Sequence, residues 1–458
     1  MDRPNVVLVT LDSTRRDRLS CYGYERETSP TIDEFAAEAT RYDNAVSQST
    51  WSLPTHASIF TGRYPSEHGA TFVSPFLADE TTLAERLQEE GYDTIGVSPN
   101  FVVRPTSGLH AGFDHFSTPQ VGNIPDPLIP PFNKCMDVVS SSIPLRRLSE
   151  QIYTTYHQLF QSRAAERIEQ ARSPDTIDSI RECLDASDDP FFLFANFMDP
   201  HMPHHPKERF RKHFVEDESL EVPMRASSDM KKESLSDRQI RKLNQLYDAD
   251  IRAMDHYLGQ LFDLLKERGC YEDSLIILVA DHGESLGEER VIGHKVSVSE
   301  HVINVPLLIK YPDHQEAEVV EEPVETRKIF HTIVNEATEE NMDGLEDPEG
   351  GIVLGEYFPP MIDFERARED GEWVYTDTTT SPVRYARNAE NKVILHDGTE
   401  HAVNVDDGTT MTDEERFELL EEIDKRLGSL EPVRENFFQR LENTNELRIP
   451  FIGNLLQT

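Results

Sequence analysis

The chain has 458 residues, 37% of them hydrophobic, with 85 Asp and Glu against 45 Lys and Arg for a formal charge of -40. That length is enough to bury a large core, as one big α/β domain with an appendage or as two domains. Acidity spread along the whole chain disfavours nucleic acid and anionic membranes as partners, and no stretch has the roughly 18 apolar residues of a membrane helix.

The four cysteines, Cys21, Cys135, Cys183 and Cys270, are far apart with no C-x-x-C pair, which predicts free thiols in a reducing compartment. Met1-Asp2-Arg3-Pro4 runs directly into an apolar strand. No signal peptide is expected there, and the prediction is a soluble, cytoplasmic protein.

In chain order, residues 5–10 form a short β-branched run expected to be a strand buried on both faces of a parallel sheet. It delivers Asp12 to a strand's carboxyl end, where open α/β sheets gather ligands, although an aspartate there also suits a helix cap. Residues 31–39 read as an amphipathic helix. Next comes Thr50-Trp51-Ser52-Leu53-Pro54-Thr55-His56, in which Pro54 and the small and apolar residues up to Gly62 predict a short helix with Ser52 at its mouth. Free N–H groups and the helix dipole favour an oxyanion at such a mouth, while the plainer alternative makes Ser52 only an N-cap.

Residues 82–90 predict a helix closed by Gly91 and residues 92–97 a second strand, so that helices alternate with buried strands in β-α-β fashion. Asn100 follows that strand as a candidate substrate contact. Residues 108–182 carry only proline-containing loops and polar helices. Residues 190–197 predict a third strand, and His201, His204 and His205 follow it among three prolines, a rigid imidazole-rich loop suited to an anion or a proton. Residues 216–237 read as an exposed acidic excursion and 244–267 as a long helix.

Residues 274–280 are the clearest strand and deliver Asp281-His282-Gly283-Glu284. Adjacent Asp and His at a strand end offer two ligands to a divalent cation, although Asp and Gly also suit a plain turn. His294 and Lys295 follow a short loop, and residues 305–310 predict another buried strand. Beyond about residue 350 the pattern changes to short antiparallel strands at 372–376, 384–388, 392–396 and 402–405 and a charged amphipathic helix at 412–427. The expected division is a catalytic domain over 1–345 and a smaller C-terminal α+β subdomain with a tail over 346–458.

Asp12, Ser52, Asp281 and His282 together offer three oxygens and one imidazole nitrogen, a set that suits one calcium, manganese or zinc ion with room for a substrate oxygen. Such an ion would lower the pKa of the Ser52 hydroxyl and neutralise charge growing on an ester under attack. His56, His201, His294 and Lys295 are the candidates for holding the remaining anionic oxygens or protonating the leaving group.

The segments Leu8-Val9-Thr10-Leu11-Asp12, Ser52-Leu53-Pro54-Thr55-His56 with Thr61-Gly62-Arg63, Asp199-Pro200-His201, Tyr247-Asp248-Ala249-Asp250, Asp281-His282-Gly283-Glu284 and Val305-Pro306-Leu307-Leu308-Ile309 follow the order seen in sulfatases of the alkaline phosphatase superfamily, and the chain resembles them over roughly residues 4–312. The resemblance implies an alkaline phosphatase-like mixed, mostly parallel sheet flanked by helices, with a smaller C-terminal sheet subdomain. It implies metal-dependent hydrolysis of a small-molecule or carbohydrate sulfate or phosphate ester. Family sulfatases place Cys or Ser at position 52 and Arg at 56, the pattern read for conversion to formylglycine. With His56 in that place, attack by unmodified Ser52 is expected, with a formylglycine precursor as the alternative. Ser13 stands where a second aspartate is usual and His282 where asparagine is usual. The resulting metal set looks more like that of related phosphodiesterases and phosphotransferases. A non-catalytic anion-binding relative is the other class of reading. The spread acidity resembles that of proteins from salt-loving archaea.

Overall fold

The computed structural model describes residues 3–71, 74–77, 80–100, 102–119, 173–187, 190–223, 230–231, 235–288, 291–294, 297–313, 316–338, 340–345, 351–358, 382–396, 399–405 and 408–428. Val6–Leu11 (β1) is buried along its whole length, as its continuous β-branched run requires. It pairs in parallel with Phe191–Phe197 (β5) on one side and Leu275–Val279 (β6) on the other. The remaining strands are Thr40–Val46 (β2), Asp93–Val97 (β3), His115–Ser117 (β4), Asn304–Lys310 (β7), Glu318–Val320 (β8) and Val324–Glu325 (β9). They complete a nine-stranded sheet in the order β8-β2-β7-β6-β1-β5-β3-β4, with β9 also on β2. Only β7 runs antiparallel to its neighbours β2 and β6. The sheet is therefore mixed and mostly parallel.

Helices cover this sheet: Pro30–Ala36 (α1), Ser52–Thr61 (α2), Leu83–Glu89 (α3), Ser173–Asp185 (α4), Asp237–Glu267 (α5) and Ile329–Ala337 (α6). The longest, α5, begins seven residues before the expected start at 244. Ser236 accepts from the Gln239 N–H while Gln239 returns to the Ser236 N–H, and this capping box fixes the earlier start. All ten residues of α2 are buried, and Gly62 closes it in the left-handed region at φ 72°. Only glycine adopts that conformation at little cost.

The C-terminal part is a four-stranded antiparallel sheet, Val353–Tyr357 (β10), Val383–Arg387 (β11), Asn391–His396 (β12) and Thr399–Asn404 (β13), with Asp413–Leu427 (α7) against it. Leu354, Ala386, Val393, Leu419 and Ile423 form its own small core, joined by Tyr64 from the main part. Strand β2 carries too many polar residues to have been anticipated, and β10 was not anticipated either. The strand expected at 372–376 lies outside the described residues. Among the described residues no helix is long and apolar enough to cross a membrane, and Cys21 and Cys183 are free thiols.

Candidate active site

Two aspartates rise from the carboxyl ends of adjacent parallel strands, Asp12 just after β1 and Asp281 two residues after β6. With His282 they bring one ligand atom each within 4.8 Å of one another, all buried. Ser52, only 4% exposed, is the first residue of α2, not its cap. Trp51 takes the cap position in extended backbone, and its side chain makes no capping hydrogen bond. The Ser52 Oγ lies 3.3 Å from His282 Nε2. Hydroxyl, imidazole and both carboxylates therefore share one small volume at the helix mouth.

Neighbouring donors fix the two carboxylates. Asp12 Oδ2 accepts from Asn100 Nδ2 at 2.6 Å and from Asn196 Nδ2 at 3.5 Å, and Asp12 Oδ1 accepts from Ser13 Oγ at 3.1 Å. Asp281 Oδ1 accepts from the Ser13 N–H at 3.1 Å and the His282 N–H at 2.9 Å. Ser13 stands at φ 57°, a conformation that costs a non-glycine residue energy, and there its N–H and hydroxyl reach a carboxylate on each strand. Asp281 Oδ2, in contrast, is buried with no hydrogen-bond partner. An acceptor buried and unsatisfied in this way costs about 1–3 kcal/mol, and a cation would satisfy it. Two carboxylates, an imidazole and a hydroxyl are a donor set that manganese, zinc or calcium accepts, so the residues fit the expected ion.

Protonation agrees with that fit. His282 Nδ1 lies 2.9 Å from the Gly283 carbonyl oxygen, which can only accept, so Nδ1 carries the hydrogen and Nε2 presents a lone pair. Burial first, and the neighbouring His294 second, push the His282 pKa well below the usual imidazole range. Burial, followed by the facing Asp281 charge, raises that of Asp12. A positive ion between the carboxylates would relieve this repulsion.

The other expected residues fall in different places. His56 is fully buried, its Nδ1–H donating to the Ser52 carbonyl at 2.7 Å and its Nε2 3.2 Å from Thr10 Oγ1. Asp281 Oδ2 is 3.7 Å from His56 Nδ1. Both ring nitrogens thus hold the protein itself, and the ring braces Ser52 against the end of β1. His201 directs Nδ1 to the Met202 carbonyl at 2.6 Å, and its ring meets that of His294 at 5.3 Å between centroids. His294 in turn stacks on His282 at 4.2 Å, with Nδ1 3.2 Å from Glu284 Oε2. His201 and His294 therefore stand beside the ligand cluster. His204 pairs with Asp250 on α5 at 3.1 Å, and Lys295 lies outside the described residues.

Several groups that build the site had been given no role in it: Ser13, Asn196, Glu284 and Thr10. Asn196 did leave a signal, as the one amide in the otherwise apolar run Phe191–Phe197. Asn100, expected as a substrate contact, donates to Asp12.

A mixed, mostly parallel α/β sheet thus carries a helix-borne hydroxyl beside a buried Asp, Asp, His cluster. The family profile described as Sulfatase matches residues 4–338, and the chain belongs to the sulfatase family. It is 26% identical over 355 residues to the ulvan-active sulfatase of Formosa agariphila, a match covering 75% of this chain and 63% of that protein. It is 24% identical over 380 residues to the arylsulfatase of Clostridium perfringens, covering 75% of this chain and 77% of the relative. In shape it matches the phosphonate monoester hydrolase of Agrobacterium radiobacter with a TM-score of 0.63 at 19% identity, over 97% of this chain and 96% of the other. That likeness confirms the alkaline phosphatase-like fold.

Proposed function

We propose that the protein is a cytoplasmic, salt-adapted hydrolase of sulfate esters or chemically similar phosphate esters, with Ser52 as its nucleophile. The observation that carries this reading is the 3.3 Å approach of the Ser52 hydroxyl to His282 Nε2 inside the Asp12, Asp281 and His282 cluster. Asp12, Ser52, Asp281 and His282 would hold a cation, which when bound would supply positive charge beside the reacting oxygens. Ser52 Oγ gives up its proton and forms the new bond to sulfur or phosphorus, the bond to the alcohol breaks, and the alcohol oxygen takes up a proton, so that protons lost and gained balance. His201 and His294 are placed to give that proton, together with Lys295 as the sequence suggests. Water then cleaves the serine ester. His56 and Asn100 act on the protein side, holding Ser52 and Asp12 in register. The substrate class we favour is a small-molecule or carbohydrate ester, in keeping with the ulvan-active relative's name. A phosphate ester is favoured over sulfate if Ser52 stays a serine, for which His56 in place of arginine is the supporting observation.

The test is turnover of aryl sulfate and of phosphate mono- and diesters by purified protein with Mn²⁺, Zn²⁺ or Ca²⁺, beside Ser52→Ala and a mass spectrum of the peptide containing residue 52. Hydrolysis abolished by Ser52→Ala supports the reading. Full activity in that variant, or a wild type inert towards every ester, sinks it.

A further inference from the structure

The C-terminal sheet is tied to the residues that lead into the nucleophile helix. Gln48 is the first such point: its carbonyl accepts from the Glu356 N–H at 2.9 Å, its Nε2 donates to the Leu354 carbonyl at 3.3 Å, and its Oε1 accepts from the Arg327 N–H at 2.7 Å. Ser47 is the second. The hydroxyl of Tyr385, on β11, donates to the Ser47 carbonyl. Ser47 Oγ lies 2.6 Å from the Asp281 carbonyl oxygen and 2.9 Å from that of Ser49, so its one hydrogen is shared between them.

A separate feature makes room for this connection. Gly355 on β10 is the register partner of Tyr385, and a Cβ at 355 would overlap the Tyr385 ring. The missing side chain is what lets the phenol cross the neighbouring strand. Tyr385 is fully buried, and burial together with the acidic charges of Glu300, Glu325 and Glu356 drives its ionisation well above the usual range, so the hydroxyl stays a donor. A buried tyrosine needs some acceptor. Here the acceptor is one residue from Gln48 and one hydrogen bond from a candidate metal ligand's backbone.

We infer that Tyr385 is a positioning residue for the active site: it fixes the Ser47 carbonyl, and through the Ser47 hydroxyl it holds the Asp281 backbone, whose carboxylate faces Ser52. This rests on the proposed function only for its catalytic consequence. The backbone coupling stands by itself. The C-terminal subdomain is then part of the catalytic apparatus while adding no group that touches substrate.

The test compares full-length wild type, Tyr385→Phe, and Val393→Ala as a control that loosens the same sheet's core. Amide hydrogen exchange, Mn²⁺ titration calorimetry and ester turnover are measured on each, with melting temperature as reference. Tyr385→Phe is expected to speed exchange in peptides spanning 47–53 and 279–284, to weaken Mn²⁺ binding about tenfold and to lower kcat about tenfold with KM little changed, as outer supports of metal sites do. Val393→Ala is expected to lower the melting temperature and leave those readouts alone. Unchanged exchange at 279–284 in Tyr385→Phe overturns the inference, as does an effect no larger than that of Val393→Ala. A wild type that takes up no Mn²⁺ and cleaves no ester refutes the proposed function, while the exchange result still decides the coupling.

Discussion

Gly283→Ala tests whether the Asp281-His282 pair must stay where the strand end puts it. The Gly283 N–H donates to the Val302 carbonyl at 2.7 Å, which holds the turn against the segment before β7. A Cβ at 283 would stand 3.0 Å from the His301 carbonyl carbon, nearer still to its oxygen, and 3.3 Å from Arg15 Cγ. Restoring ordinary contact at about 3.5–4.0 Å needs a displacement on the order of 1 Å. The obstacle is backbone, which cannot rotate away as a flexible side chain would. Overpacking of this kind costs about 1–3 kcal/mol of stability. A misplacement of about 1 Å next to the reacting atoms costs about 100-fold in rate. The expected result is a folded protein melting a few degrees lower, with kcat/KM down about two orders of magnitude and weaker Mn²⁺ binding. Wild-type turnover and Mn²⁺ affinity in Gly283→Ala would refute the reasoning, because they would show that the segment around 301 yields and the ligand pair stays in place.

Asn100→Ala removes the 2.6 Å donor to Asp12 Oδ2; Mn²⁺ affinity should drop about tenfold, and unchanged affinity by calorimetry would count against the clamp. His68, buried between the Ser58 hydroxyl and the Ala70 N–H, has its pKa pushed by burial from 6.5 down to about 3. Its contribution to stability is therefore complete above pH 6.5 and is lost as pH falls towards 3, by about 2 kcal/mol between pH 6.5 and pH 5 at about 1.36 kcal/mol per unit. Asp255, raised by burial to about 6, acts with the opposite sign, losing stability as pH rises through that value. The wild-type slope alone is thus uninformative, and the difference in urea stability between wild type and His68→Gln at pH 7 and pH 5 isolates the histidine; parallel slopes would disprove it. With a formal charge of -40, self-repulsion should relax as salt shortens the Debye length from about 10 Å at 0.1 M to about 3 Å at 1 M. The melting temperature should climb steadily with KCl, and a flat response would contradict the salt-adapted reading.

What could be read in the sequence follows from how each element is held. Strands β1, β5 and β6 are buried on both faces, so their apolar runs stand out and their ends place Asp12 and Asp281 without further help. Strand β2 was missed because Arg41 and Asp43 pair with each other at 2.9 Å on its less buried face, which breaks the apolar pattern. For the site, residue type announced Asp12, Ser52, Asp281 and His282. The orientation of His56 was not legible, because which groups an imidazole meets depends on tertiary neighbours such as Thr10, 46 residues away. The role of Ser13 was hidden for a similar reason: its N–H and hydroxyl reach the two carboxylates through a backbone conformation that residue type does not announce.

The burial of every residue of α2 bears on how such a protein diversifies. A helix without a solvent face leaves selection almost nothing to vary around the Ser52 hydroxyl, since each change there disturbs the core as well as the site. New substrates must then be acquired through the loops that frame the mouth, and mutagenesis aimed at altered selectivity should be spent on those loops.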